Sequence, residues 1–128
     1  MTTIGFYKEN FIDEAAAAAS VAATRAVKVG GVLGGVCAVC VAGEGGFKIA
    51  AGKKVTLTAT ESDDFDGTYN DSGLSSARTF AKAASFDEGE VIAELSFVSY
   101  SKDYAKVAFA TDDTAASGKI KVIPYTRG

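Results

Sequence analysis

Between Lys53 and Phe65 the chain alternates so strictly that few folds remain open to it. Val55, Leu57 and Ala59 fall on one parity, and Lys54, Thr56, Thr58 and Thr60 fall on the other. This is the period of a β-strand with one buried face and one wet face. The run then stops in Glu61, Ser62, Asp63 and Asp64, followed by Asp66-Gly67 and Asn70-Asp71-Ser72-Gly73. These residues favour turns and disfavour a continuing ladder, so a long acidic loop is expected there. The rest of the chain must pair with this strand or pack on it.

Further short strands follow from the same reasoning. Val36 to Val41 is a β-branched run between glycine groups, Phe47 to Ala50 can add a short strand, and Ala77 to Phe86 alternates weakly. Val91 to Tyr100 carries Val91, Ala93, Leu95 and Phe97 on one parity. In Tyr104 to Thr111, Val107 and Phe109 alternate with Lys106 and Ala108. Lys119 to Val122 leads to Pro124, a residue suited to an edge or a strand end. Val55, Leu57, Val107, Phe109, Ile120 and Val122 are the expected core. Ala15 to Ala26 supports two readings. Alanine has the best helix propensity, and Asp13 with Glu14 suits a helix N-terminus. Yet Val21, Ala23, Val27 and Val29 share a parity that favours a strand from about Ser20 onward. Many short strands with turn chemistry between them predict an all-β fold: an antiparallel β-sandwich or jelly roll with an extended N-terminal arm.

At 128 residues, with no linker and no repeat, the chain reads as one domain over 1–128, of which 1–13 form the arm. Hydrophobic residues make up 48% and charged residues 23%, which excludes disorder. No charge-free apolar run reaches the ~18 residues of a spanning helix, so no membrane partner is expected. The Met1-Thr2-Thr3 start lacks the basic and apolar regions of a signal peptide, and a cytoplasmic site of synthesis is expected. A net charge of −3 argues against a nucleic-acid partner. The sequence contains no histidine, which removes the commonest general base and zinc ligand.

The remaining motifs yield no catalytic constellation. Cys37-Ala38-Val39-Cys40 has C-x-x-C spacing, but a four-ligand zinc site needs two more thiolates or imidazoles. On a strand, positions three apart face opposite ways, so these are expected to be two buried, reduced thiols. Asp64-x-Asp66-x-Thr68 opens like a calcium loop, then places Tyr69 where glycine is required and Ser75 where glutamate is required. The same carboxylates lack the apolar pocket and aromatic groove of a glycosidase pair. Gly30-Gly31, Gly34-Gly35 and Gly43 to Gly46 lack the Lys-Ser/Thr of a phosphate loop and read as turns. The expectation is a protein that is not an enzyme, with no cofactor and no metal.

Asn10-Phe11-Ile12-Asp13-Glu14-Ala15, the small-residue stretch with Ser20 to Val29, Val55 to Phe65 and Tyr104-Ala105-Lys106-Val107-Ala108-Phe109 together resemble the jelly-roll capsid cement (head decoration) proteins of tailed bacteriophages. The resemblance covers most of the chain in order and spacing. It implies a structural virion protein that binds the outside of a phage capsid as a homotrimer and clamps neighbouring copies of the major capsid protein. Phe6, Tyr7, Phe11 and Ile12 put four large apolar groups in a segment too short to bury them. They are the expected inter-protomer or capsid contact. The alternative is a jelly-roll carbohydrate-binding domain or another phage head or tail protein.

Overall fold

The computed structural model describes residues 9–29, 36–97 and 102–126. Among these it contains ten strands and no helix: β1 (Ile12–Ala16), β2 (Ser20–Val21), β3 (Val27–Lys28), β4 (Val36–Ile49), β5 (Lys54–Ser62), β6 (Asn70–Thr79), β7 (Ala84–Phe86), β8 (Val91–Phe97), β9 (Tyr104–Thr111) and β10 (Ser117–Thr126). One antiparallel sheet runs β1-β10-β4-β7, with β8 also on β4. The other runs β2-β9-β5-β6, with β3 also on β9. β2 with β3, and β7 with β8, are each one interrupted strand position. The pairings β1·β10, β2/β3·β9, β4·β7/β8 and β5·β6 are then nested, the first position with the last and the fourth with the fifth. A hairpin wrapped into two sheets in this way is a jelly roll.

The inner faces of both sheets share one core. Val55, Leu57 and Ala59 on β5 stand opposite Thr111, Phe109 and Val107 on β9, so the parity read from the sequence is the parity the fold uses. Val55, Leu57, Val107, Phe109, Ile120 and Val122 are all fully buried. Phe47 bridges the sheets, with its ring 6.4 Å from that of Phe109 in an edge arrangement, a geometry that favours aromatic pairs beyond their buried area.

One open sequence expectation is decided and two change. The first is the alanine run, left open between helix and strand, which makes no helix. Ala15 and Ala16 pair with Ile120 and Lys119 on β10, because a cross-strand ladder available in the tertiary fold outweighs alanine's modest local preference. The second is Gly43 to Gly46, which does not end a strand. β4 continues through it to Ile49, and four residues of β4 (43–46) lie opposite one of β10, since Ala42 pairs with Ile120 and Phe47 with Gly118. Gly46 has φ +83°, and a Cβ there would collide with the Phe86 carbonyl oxygen, so this bulge requires glycine. The third is Asn70-Asp71-Ser72-Gly73, which begins β6 rather than belonging wholly to a loop. β6 is an edge strand whose polar residues give no alternation, and its register comes from β5. The Arg78 guanidinium reaches from this edge to the Ile92 carbonyl oxygen at 2.9 Å.

The N-terminal expectation is also corrected in part. Phe11 and Ile12 are not surface anchors: they are 0% and 1% exposed within the core, and Phe11 stacks on Phe97 at 5.9 Å. The sandwich therefore begins inside the segment read as an arm. Its entry is clamped by Arg25, which bonds both carboxylate oxygens of Asp13 at 2.7 Å, the Asn10 carbonyl at 2.8 Å and Glu9 at 2.8 Å. The Thr24 backbone N–H donates to the Phe11 carbonyl at 2.9 Å. Phe6 and Tyr7 lie outside the described residues.

Candidate functional site

The two cysteines lie on the same strand but face opposite ways. Cys40 belongs to the main core, whereas Cys37 packs with Val39, Val41 and Ile123 on the outward face of the first sheet. Both thiols are free and buried, and burial pushes the Cys40 thiol up to about 12. This makes Cys40 a poor thiolate source. The Cys37 sulfur lies 3.6 Å from the Ser96 hydroxyl.

The acidic loop does not gather its carboxylates. Asp63 is ion-paired with Lys102 at 3.0 Å, and Asp71 accepts from the Gly73 N–H at 2.9 Å. No group of three or more His, Cys, Asp or Glu side chains among the described residues could hold a metal ion. The carboxylate most enclosed by the fold is elsewhere. Asp113 accepts from the Ala50 N–H at 2.8 Å and the Ala115 N–H at 2.9 Å. These bonds hold its carboxyl below the usual range and fasten the β9–β10 turn to the end of β4.

Two surfaces are left as binding candidates. The first is the outward face of β4. Cross-strand register places Val91, Val41 and Lys121 in one row, Glu94, Val39 and Ile123 in the next, and Ser96, Cys37 and Tyr125 in a third. Seven consecutive residues, Val36 to Ala42, are buried without regard to parity. Val91 and Tyr125, on the strands flanking β4, remain 47% and 44% exposed.

The second surface lies at the end of the other sheet. The loop after β5 holds Phe65 outward at 54% exposure, with its ring edge-to-face with Tyr104 at 5.8 Å. The Tyr69 hydroxyl donates to the Phe65 carbonyl at 2.8 Å, and the Lys106 ammonium sits 4.3 Å from the centre of the Tyr69 ring. Desolvation, with Asp66 nearby, raises the Tyr69 pKa, so its hydroxyl stays protonated and able to donate. A cavity of about 390 Å³ opens here, lined by Thr24, Arg25, Phe65, Asp66, Tyr69 and Lys106 among others. The sequence pointed to Phe6, Tyr7 and Phe11 as the aromatic contact and not to this cluster. Phe65 was visible only as the end of the strand pattern, and Tyr69 and Tyr104 are 35 residues apart along the chain from one another.

These surfaces sit on a jelly-roll β-sandwich, which is the class the strand order defines. No family model, no curated protein and no solved structure matches this chain. Among the described residues no helix is long and apolar enough to cross a membrane.

Proposed function

We propose that this protein is a structural virion protein, not an enzyme, that binds the outside of a tailed-phage capsid as a homotrimer and cements neighbouring major capsid subunits. It is made in the host cytoplasm and works on the capsid exterior. The observation that carries this reading is β4, whose side chains are apolar on both faces from Val36 to Ala42. In a two-sheet sandwich the outward face is ordinarily polar, and a strand apolar on both faces is characteristic of a sheet covered on both sides. Cys37, Val39 and Val41 are already buried in the single chain, and the apolar groups left on that face are the exposed Val91 and Tyr125 with the half-buried Ile123. Proteins that work by surface recognition concentrate such aromatic and aliphatic anchors in one patch. The jelly-roll strand order and the sequence resemblance support the same class.

The test is cosedimentation with purified capsids, together with mass measurement in solution. The wild-type chain should run as a trimer and pellet with capsids. Tyr125→Glu, at an exposed position, should remain folded but lose one or both properties. A monomer that stays in the supernatant would overturn the reading.

A further inference from the structure

We propose that the cavity beside Phe65 is a carbohydrate-binding site, in which a hexopyranose stacks its C–H face on the Phe65 ring and hydrogen-bonds to Asp66, Lys106 and Thr24. Phe65 is held in place, not merely left exposed. Besides the Tyr104 ring contact and the Tyr69 hydrogen bond, the loop is closed by the Gly67 N–H on the Asp64 carbonyl at 3.0 Å and the Asp64 N–H on the Ser62 hydroxyl at 3.2 Å. Lys102 fastens it from outside through Asp63. An aromatic ring fixed outward gives a partner a contact surface with little ordering left to lose.

The polar groups around the ring select the class of ligand. Among the described residues the Asp66 side chain makes no hydrogen bond or ion pair, and the Lys106 ammonium meets only the face of Tyr69. Among the described residues the rim therefore offers one free acceptor and one free cationic donor, beside the Thr24 hydroxyl, whose oxygen accepts the Asp13 N–H at 2.9 Å and whose own O–H is left to donate. Sugar hydroxyls both donate and accept, so they can satisfy this mixed rim. A phosphate would meet the Asp66 carboxylate in the lining, which disfavours nucleotides. Arg25 is already engaged by Asp13 and Glu9 and serves as a wall rather than a free cation. The cavity volume suits a single sugar ring or two.

Native affinity electrophoresis in gels carrying a soluble β-glucan, a galactomannan or a glucomannan tests the proposal. The wild-type chain should be retarded in at least one gel. Phe65→Ala should abolish that retardation, equivalent to a dissociation constant at least about tenfold weaker, and Asp66→Asn should reduce it. Both variants should keep the wild-type melting midpoint, since both side chains lie on the surface loop. No retardation in any gel, or equal retardation of Phe65→Ala, overturns the proposal. Phe65→Ala should also pellet with capsids as the wild type does. If it fails to pellet, the platform is a protein contact and the sugar assignment is wrong, while the capsid reading stands.

Discussion

Leu57 and Phe109 face each other across β5 and β9 with no exposed surface. Removing either side chain leaves a void lined by a core that can relax only partly. Leu57→Ala or Phe109→Ala should therefore cost roughly 2 to 5 kcal/mol in chemical denaturation. The cysteines separate by face. Cys40→Ser buries a hydroxyl in the apolar core and should cost about 1 to 3 kcal/mol, whereas Cys37→Ser has the Ser96 hydroxyl beside it and should cost less. The double variant should still assemble, and native protein should resist thiol reagents that modify the unfolded chain. Asp113 makes stability pH-dependent with a definite sign. Its folded pKa lies below the ordinary value because Ala50 and Ala115 donate to the carboxylate. Its contribution is thus complete above the unfolded value of about 3.9 and is lost as pH falls through the lower folded value. Denaturation midpoints measured from about pH 5 down to pH 2 should fall less steeply for Asp113→Asn than for wild type.

At the level of elements, the N-terminal segment is described from Glu9 onward. From Glu9 onward it is clamped by Arg25 and contributes Phe11 and Ile12 to the core. The effect of deleting residues 1–8 on capsid pelleting reports whether Phe6 and Tyr7 make the contact. Deleting residues 1–12 should destabilise the fold strongly, since it removes a buried phenylalanine worth roughly 3 to 5 kcal/mol together with the start of β1. Equal stability of the two deletions would show that Phe11 and Ile12 do not pack as described. Pro124 follows from the same kind of local rule. It lies within β10, but β1 pairs with β10 no further than Val122, so among the described residues β10 is unpaired on that side where proline occurs.

At the scale of the whole molecule, nested pairing makes almost every ladder non-local: β1 closes on β10, and β2 and β3 on β9. Such topologies fold slowly because distant segments must meet before contacts compensate for lost chain entropy. Refolding in the millisecond-to-second range is expected. What the sequence determined by itself was the fold class and the inward parity. Alternation in Val55-Leu57-Ala59 and Val107-Phe109 is a local consequence of strand geometry and a one-sided core. Phe11 and Ile12 were misassigned because an apolar residue carries no sign of whether its own chain or a partner covers it. β6 was hidden because an edge strand written in Ser, Asn, Asp and Gly has no alternation, and only β5 supplies its ladder. The Phe65 platform was hidden because it joins a loop after β5 to residues of β9 and to the segment before β3. Only the wrapping of the hairpin into two sheets brings those distant residues to one end of the sandwich.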